Sequence, residues 1–457
     1  MVEQDTVAVI GLGYVGLPLA LLAARKGYKV AGLDANSAKI TNLTSGHSPV
    51  DGLTATDIAQ SGVTYTTDFA AVRTAGIIII CVPTPVDHHL LPDLGPVKAA
   101  CRSIGQYLQP GSLVILESTV NPGVSETVVL PELEAASGLT GGRDFQLAHC
   151  PERINPGDTQ WNVTNIPRVV GSLAPEGLER AAQFYESIVD GGIHRMGSLK
   201  EAEAVKVVEN SFRDINIAFV NELAMSFDKL GINVLNVIDG AATKPFAFMR
   251  HTPGCGVGGH CIPVDPYYLI EYARSNGFNH ELLSLSRSIN RRMPAYTTRI
   301  TADMLEQSGT PIAGARVVVL GLSYKSDISD IRESPAPEIV KALKALGADV
   351  TVYDPYVPDT FPAKHPHTEL AAAGSAGSTG PARSDNYFET LAPHHQPLAM
   401  VLEGADAAVV ATGHRLFREA GPALFAQAGV KVVIDGRACL NRSAFEAAGL
   451  SFKGIGH

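Results

Sequence analysis

The chain has 457 residues, 45% of them hydrophobic and 18% charged, a balance that suits a soluble globular protein and a length that predicts two or three domains rather than one core. Its formal net charge of −10 argues against a nucleic-acid or anionic-membrane surface, since both need a basic face, so any bound phosphate must be met by local groups. The six cysteines (81, 101, 150, 255, 261 and 439) include no C-x-x-C pair, and no metal centre is expected.

Residues 1–5 lead straight into the strand-like run 7–10, which predicts no signal peptide. No apolar run reaches membrane-spanning length, so the expected location is the cytoplasm, with no membrane partner. Residues 6–36 read TVAVIGLGYVGLPLALLAARKGYKVAGLDAN: a buried strand, a glycine turn, an amphipathic helix, Gly27 as the stop and a second strand ending at Asp34. Gly11, Gly13 and Gly16 fall between strand and helix, and an acidic residue follows at the expected distance. This is the opening β-α-β unit of a dinucleotide-binding domain. The turn, with Tyr14 and Val15 between its glycines, would lay backbone and helix N-terminus against a pyrophosphate. Asp34 would accept hydrogen bonds from the adenosine ribose and repel a 2′-phosphate, favouring NAD over NADP; a surface carboxylate at a strand end is the alternative. Apolar strands at 76–82, 112–117 and 146–150 continue an alternating pattern with parallel pairing expected.

Leu199–Leu230 has neither proline nor glycine and is flanked by Gly197 and Gly231. Val205, Val208, Phe212, Ile215, Phe219, Leu223 and Phe227 recur at helical spacing, which predicts one helix of about 45 Å bridging two domains. This helix, with the helical pattern at 281–308, is the expected dimer surface. Lys206 and Asn210 lie at i and i+4 on a face apart from the apolar stripe; they either point together at an oxyanion or belong to a solvated face.

The run 256–269, GVGGHCIPVDPYYL, sets a cysteine in a glycine-rich loop with a carboxylate four residues on. Glycines 256, 258 and 259 permit torsions and close ligand approach that a side chain would block, which presents Cys261 to a bound molecule; a small buried hydrophobe is the alternative. Asp265 is placed to hold a water or a substrate hydroxyl. His260 is read as structural, because adjacent side chains usually diverge.

The opening pattern recurs near the C-terminus, with a strand at 315–321, a helix at 336–346 and a strand ending at Asp354. The fold class expected is α/β, two Rossmann-like doubly wound domains joined by a long central helix, with boundaries at 1–198, 199–308 and 309–457. The ligands of the two copies should differ, because Gly321 and Asp354 are 33 positions apart against 23 for Gly11 and Asp34, and GLSYK replaces the glycine fingerprint. Lys325 and Arg332 in that enlarged turn suit a different phosphate-bearing ligand, with surface salt bridges as the alternative. The stretch 371–384, AAAGSAGSTGPARS, reads as a flexible loop without chemistry.

Several of these stretches, GLGYVGLPLA at 11–20, CVPTP at 81–85, ESTVNPG at 117–123, CPERINPGD at 150–158, KVVENSFRDINIAFVNEL at 206–223, GVGGHCIPVDPYYL and GLSYKSDISDIRES at 321–334, occur in an order and spacing that resemble the UDP-glucose/GDP-mannose dehydrogenase family over essentially the whole chain. The resemblance implies oxidation of the C6 hydroxymethyl of a nucleotide sugar to a carboxylate with NAD as cofactor, in a homodimer or higher homo-oligomer. Cys261 would be the nucleophile forming a thiohemiacetal and then a thioester, and Lys206 and Asn210 would steady the oxyanion. Thr119 and Glu152 match positions that hold the hydrolytic water and move protons, Asp265 matches a further water-binding carboxylate, and an ordinary loop carboxylate is the alternative for Glu152. Thr84, Thr119 and Arg332 would also face the cofactor. Gly258 and Lys325 would face the substrate, and Arg437 in IDGR is a candidate for its diphosphate or for a partner subunit's site.

There are departures. Glucose enzymes commonly follow the catalytic glutamate with an aromatic and then a second glutamate, whereas here Glu152 is followed by Arg153 and the later position is Pro156. The PER sequence and TKPF at 243–246 resemble the branch acting on UDP-N-acetylhexosamines, which favours that substrate, with UDP-glucose as the alternative. Arg153 would donate to an acetamido carbonyl or else pair with a carboxylate such as Asp158. Two rivals remain: a two-electron β-hydroxyacid dehydrogenase, which has no need of Cys261, and a non-catalytic nucleotide-sugar or NAD sensor. Cys255 stands where relatives often have proline.

Overall fold

The computed structural model describes residues 6–50, 52–85, 92–154, 160–259, 261–357 and 396–456. His260, Pro156, Asp158 and the 371–384 stretch lie outside the described residues. The chain divides into two compact units, residues 1–209 with 267–278, and residues 210–266 with 279–457.

The first unit is built on an eight-stranded sheet. Its strands are β1 (Thr6–Ile10), β2 (Lys29–Leu33), β3 (Thr64–Thr66), β4 (Ile77–Ile80), β5 (Leu113–Leu116), β6 (Gln146–His149), β7 (Arg168–Ser172) and β8 (Ile193–Arg195), in the order β3-β2-β1-β4-β5-β6-β7-β8. The central strands are near-continuous runs of Val, Ile and Leu because helices cover both faces, and two apolar layers fill the space on either side. Strand order reverses at β1, which pairs with both β2 and β4, so a crevice opens at the carboxyl ends of β1 and β4. Gly11 and Cys81 are the residues that follow these strands. Parallel pairing holds except at β7, which runs antiparallel to β6.

The second unit carries a five-stranded, all-parallel sheet of β9 (Arg316–Leu320), β10 (Asp349–Tyr353), β11 (Ala407–Val410), β12 (Val432–Asp435) and β13 (Ser451–Gly454), in the order β10-β9-β11-β12-β13. The internal repeat extends to backbone detail. The amide of Gly11 donates to Leu33 O and that of Gly321 to Tyr353 O, both at 2.8 Å, so each glycine turn starts from the same strand pairing. The carboxylates then diverge. Both accept from the residue after the glycine, Asp34 from Leu12 N and Asp354 from Leu322 N, but Asp354 is fully buried and accepts also from Ser323 N and from His414 Nε2 at 3.0 Å, a side chain of its own unit.

The helix Leu199–Leu230 spans the residues that the pattern predicts, and the division between units falls inside it, between Glu209 and Asn210. Its buried side mixes apolar and polar side chains: Val207, Val220 and Ala224 are buried, and Leu223 and Phe227 pack against the core. Val208, Phe212 and Phe219 are 53%, 46% and 52% exposed, while Lys206 and Asn210 are 7% and 4% exposed, and Glu203, Asp214 and Asn221 are buried as well. Burying a row of polar side chains requires partners for each. Glu203 accepts from the amides of Gly123 and Ser125, Asp214 pairs with Arg287 at 2.5 Å, and Asn221 donates to Asn290 and accepts from Gly254 N. Among the described residues, no helix is long and apolar enough to cross a membrane.

Candidate active site

At the crevice of the first unit the three glycines serve different ends. Gly11 has φ +94°, and a Cβ there would lie 2.7 Å from Cys81 O; one at Gly16 would overlap Gly11 O. Gly13 would meet no protein atom within 4 Å, so it is the open face of the turn. Val15, at the N-cap of helix Gly16–Arg25, makes no side-chain cap; Leu17 N donates to Gly13 O at 3.1 Å, Leu19 N to Val15 O at 3.3 Å and Pro18 carries no amide hydrogen, so an anion would rest on the open glycine turn at the positive end of the helix rather than on these amides. This cradle fits the pyrophosphate of NAD. Asp34, at the end of β2, accepts from Leu12 N at 3.0 Å and Asn36 N at 3.0 Å, and Lys39 Nζ lies 2.5 Å from its Oδ2. Sequence reasoning missed Lys39, which sits one helical turn beyond the fingerprint's end. Thr84 Oγ1 donates to Thr119 O at 2.7 Å, and Tyr268 OH donates to Thr84 O, which ties the loops after β4 and β5 together.

Glu152 follows β6 in the same unit and is buried. Its Oε2 is 3.7 Å from Lys206 Nζ, and its Oε1 accepts from Ile154 N. Burial pushes its carboxyl up to about 7, against the pull of Lys206 and Arg168 and with a push from Glu117. A carboxyl with this proton affinity near neutrality can both take and return a proton. Arg153 points elsewhere: its Nη1 donates to Pro167 O at 2.8 Å and its Nη2 to Glu209 Oε1 at 2.5 Å. A carboxylate does hold it, and the partner is Glu209 on the long helix.

In the second unit the glycine loop is built onto the turn after β9. Gly256 (φ +140°) and Gly259 (φ +90°) need left-handed torsions. A Cβ on Gly258 would lie 2.6 Å from Tyr324 Cβ, and one on Gly259 would lie 2.7 Å from the Tyr324 ring. The space that glycine leaves is therefore filled by Tyr324 and by the backbone of Glu333, so packing within the protein, rather than ligand approach, demands glycine at 258 and 259. Gly259 N donates to Arg332 O at 3.0 Å. Arg437 braces the other side, with Nε donating to Ala411 O at 2.6 Å and Nη1 to Gly256 O at 3.1 Å, while its buried Nη2 has no partner among the described residues. Cys255 is fully buried, with its amide on Gly436 O and its thiol 3.4 Å from Ala411 O, which gives it a packing role. Cys261 is exposed and is not in a disulfide.

Asp265 N donates to Cys261 O at 2.8 Å, and the Asp265 side chain, buried at the start of helix Asp265–Ser275, accepts from Asn210 Nδ2 at 2.5 Å. Arg332 is gripped by Asp330, with Nη2 to Oδ2 at 2.5 Å. Burial opposes its charge, but the Asp330 hydrogen bond prevails and raises its pKa, with Tyr324 and Cys261 adding to the effect. Lys325 lies in the same turn, its carbonyl accepting from Ser323 Oγ at 3.1 Å. Sequence reasoning gave Tyr324 and Glu209 no role, although both lie inside quoted motifs, Tyr324 in GLSYK and Glu209 in KVVEN. Among the described residues, no three His, Cys, Asp or Glu side chains form a metal-holding group.

Three family models match the chain: the UDP-glucose/GDP-mannose dehydrogenase family NAD binding domain over residues 5–189, its central domain over 200–292 and its UDP binding domain over 318–442. A UDP-N-acetyl-D-glucosamine 6-dehydrogenase of Pseudomonas aeruginosa is 41% identical over 355 residues, 77% of this chain and 83% of that protein. A UDP-N-acetyl-D-mannosamine dehydrogenase of Pyrococcus horikoshii is 35% identical over 456 residues, 98% of this chain and 99% of that protein. The solved structure of a UDP-D-ManNAc dehydrogenase from Pyrococcus horikoshii superposes with a TM-score of 0.85 at 34% identity, covering 99% of each chain.

Proposed function

The chain belongs to the UDP-glucose/GDP-mannose dehydrogenase family, and from that premise we propose that it oxidises the C6 hydroxymethyl of a UDP-N-acetylhexosamine to the carboxylate through a thioester on Cys261. It is an NAD-dependent nucleotide-sugar dehydrogenase, and the NAD binding and UDP binding family models fall on its two Rossmann-like sheets. The observation that carries the finer reading is the buried Glu152–Lys206 pair at 3.7 Å, a proton-transferring carboxyl beside a cation, in a chain whose exposed Cys261 stands on a loop braced from both sides. The substrate class rests on the relatives that act on UDP-N-acetylglucosamine and UDP-N-acetylmannosamine.

NAD, when bound, supplies the hydride acceptor for each of the two oxidations. The chain's residues do the rest. A base takes the C6 hydroxyl proton as the first hydride leaves, and the Cys261 thiolate adds to the aldehyde carbon to form a thiohemiacetal. Loss of the second hydride from that carbon gives the thioester. Water held by Thr119 and deprotonated by Glu152 adds to the thioester carbonyl, and the C–S bond breaks to release the carboxylate and restore the thiolate. Lys206 and Asn210, one turn apart on the long helix, donate to the oxygen that carries charge in each tetrahedral species. Asp265 aims the Asn210 amide. We assign NAD binding to residues 1–198, the UDP-sugar to 309–457 with Gly258, Lys325 and Arg437 on the substrate side, and the connection to 199–308. The exposed Phe212, Phe219, Leu282 and Leu285 on the long helices support a homodimer, and the reaction is assigned to the cytoplasm.

The test of the substrate is kcat/KM for UDP-N-acetylglucosamine, its manno and galacto epimers and UDP-glucose. An N-acetylated sugar should be favoured over glucose by roughly ten- to a hundredfold, because a site built for an acetamido group leaves a polar group unpaired without it, at a cost of about 1–3 kcal/mol. If UDP-glucose is the best substrate, the N-acetylhexosamine assignment is wrong and the enzyme is a UDP-glucose 6-dehydrogenase.

Asp34 yields a second prediction. Asp34→Ala removes the ribose partner and leaves the Lys39 ammonium without the carboxylate 2.5 Å away, so that cation becomes available to a 2′-phosphate. The NAD over NADP preference should shrink by about tenfold or more, the worth of one charge-assisted hydrogen bond. Steady-state kinetics with both cofactors check this; an unchanged ratio removes Asp34 from cofactor selection.

A further inference from the structure

A buried polar network lies against the residues that carry Glu152. Glu117, the residue after β5, is fully buried, and so are Tyr185 on helix Pro175–Ile188 and, to 2%, Arg168 at the start of β7. Arg168 Nη1 lies 2.9 Å from Glu117 Oε1 and 3.9 Å from Cys150 Sγ. Tyr185 OH donates to the same Glu117 oxygen at 2.5 Å, and the guanidinium stacks over the Tyr185 ring at 4.9 Å. The backbone joins this cluster to Glu152: Cys150 N donates to Leu116 O at 3.0 Å and Glu152 N to Glu117 O at 3.4 Å. Among the described residues, Glu117 Oε2 and Arg168 Nε have no hydrogen-bond partner. A buried ion pair with unmet polar atoms is a poor source of stability, since apolar side chains of equal volume commonly do as well. Its backbone link to the turn that carries the proton-transferring carboxyl calls for another account.

We propose that Glu117, Arg168 and Tyr185 form a positioning network for Glu152, fixing the 150–152 turn while presenting to it two opposite charges that cancel. The proposal rests on the reading of Glu152 as the proton carrier. The charged and titratable groups around Glu152 are Lys206 on the long helix, Arg168 on β7, Glu117 after β5, Cys81 after β4 and Cys150 beside it. Burial pushes the Cys150 thiol up to about 12 and that of Cys81 well above its ordinary value, so both are neutral at physiological pH. Arg168 draws the Glu152 carboxyl down and Glu117 pushes it up. Arg168 cannot discharge, so removing only the Glu117 charge leaves a bare guanidinium beneath Glu152.

The decisive variant is Glu117→Gln, which keeps a hydrogen-bonding oxygen for Arg168 and Tyr185. Its acid-limb inflection in the pH profile of kcat should fall by about one pH unit, as a newly uncompensated cation nearby requires. The double variant Glu117→Gln/Arg168→Met removes both charges and should return the inflection to the wild-type value, with a loss of kcat from the loosened turn. An ordinary structural role would lower kcat in both without moving the inflection. A folded Glu117→Gln protein with an unmoved inflection overturns the proposal. If that variant does not fold, a shifted inflection in the double variant overturns it equally. Titration of the 13C-labelled Glu152 carboxyl, assigned with Glu152→Gln, reads the same shift without turnover. Failure of the proton-carrier reading, seen as full activity of Glu152→Gln, is thereby kept separate from failure of charge balance.

Discussion

Cys261→Ser is expected to lower carboxylate formation by more than about a thousandfold, with NAD and sugar nucleotide still bound, because the nucleophile is removed while the braced loop around it is kept. A serine hydroxyl is scarcely ionised at neutral pH, whereas a thiol is partly thiolate and intrinsically more nucleophilic. The aldehyde is then not held for the second oxidation. The loop should survive the change, since its shape comes from Gly256 and Gly259 in left-handed torsions, from Tyr324 packed on Gly258 and Gly259, and from Arg437 on Gly256 O, none of which involves the thiol. Binding is read by calorimetry with NAD and with the UDP-sugar, and NADH yield per sugar by absorbance. Two NADH per sugar at the wild-type rate in the serine variant would rule out the thioester and leave a thiol-independent four-electron route.

The two Rossmann-like units were legible because their glycine turns, apolar strands and terminal carboxylates are local patterns, and the repeat can be seen by laying residues 6–36 over 315–354. What the second copy does with its carboxylate was not legible. Asp354 is satisfied by His414, sixty residues on, and no local pattern announces that contact. The long helix was legible in its length and illegible in its orientation. Periodicity identifies an apolar stripe from Val205 to Phe227, and the ordinary rule would bury it; the structure packs Leu223 and Phe227 against the core but leaves Val208, Phe212 and Phe219 exposed while burying Lys206 and Asn210. Hydropathy cannot distinguish a stripe packed in a core from one left for a partner. The same limit applies to Arg153, read either as a sugar contact or as the partner of a nearby carboxylate such as Asp158: its carboxylate partner is Glu209, fifty-six residues away, which no local pattern names. Glu117 and Arg168 show the limit most plainly: Glu117 ends a segment read as an apolar strand, the Arg168 segment drew no reading, and the antiparallel course of β7 brings the guanidinium onto the carboxylate.

Glu152→Gln is expected to separate the two halves of the reaction. The carboxyl, held up to about 7 by burial, is protonated below that pH and cannot accept the proton of the hydrolytic water; above it, the carboxylate can. Wild-type kcat should therefore rise with pH through an inflection near 7 and then level off. The glutamine has no basic form, so turnover should drop by about 10²–10⁴-fold and the inflection should vanish from the residual rate. Oxidation to the thioester precedes hydrolysis, so the variant should release two NADH per active site in a burst and then stall. Intact-protein mass spectrometry should find the sugar nucleotide attached through Cys261. Lys206 pulls the Glu152 carboxyl down, so Lys206→Met should move the inflection upward as well as slow the reaction. Stability runs the opposite way: the folded-state value lies above the ordinary 4.5, so Glu152 favours folding most below 4.5 and that contribution is lost as pH rises through about 7. A Glu152→Gln enzyme that turns over continuously, with a wild-type pH profile, would assign the hydrolytic proton to another group.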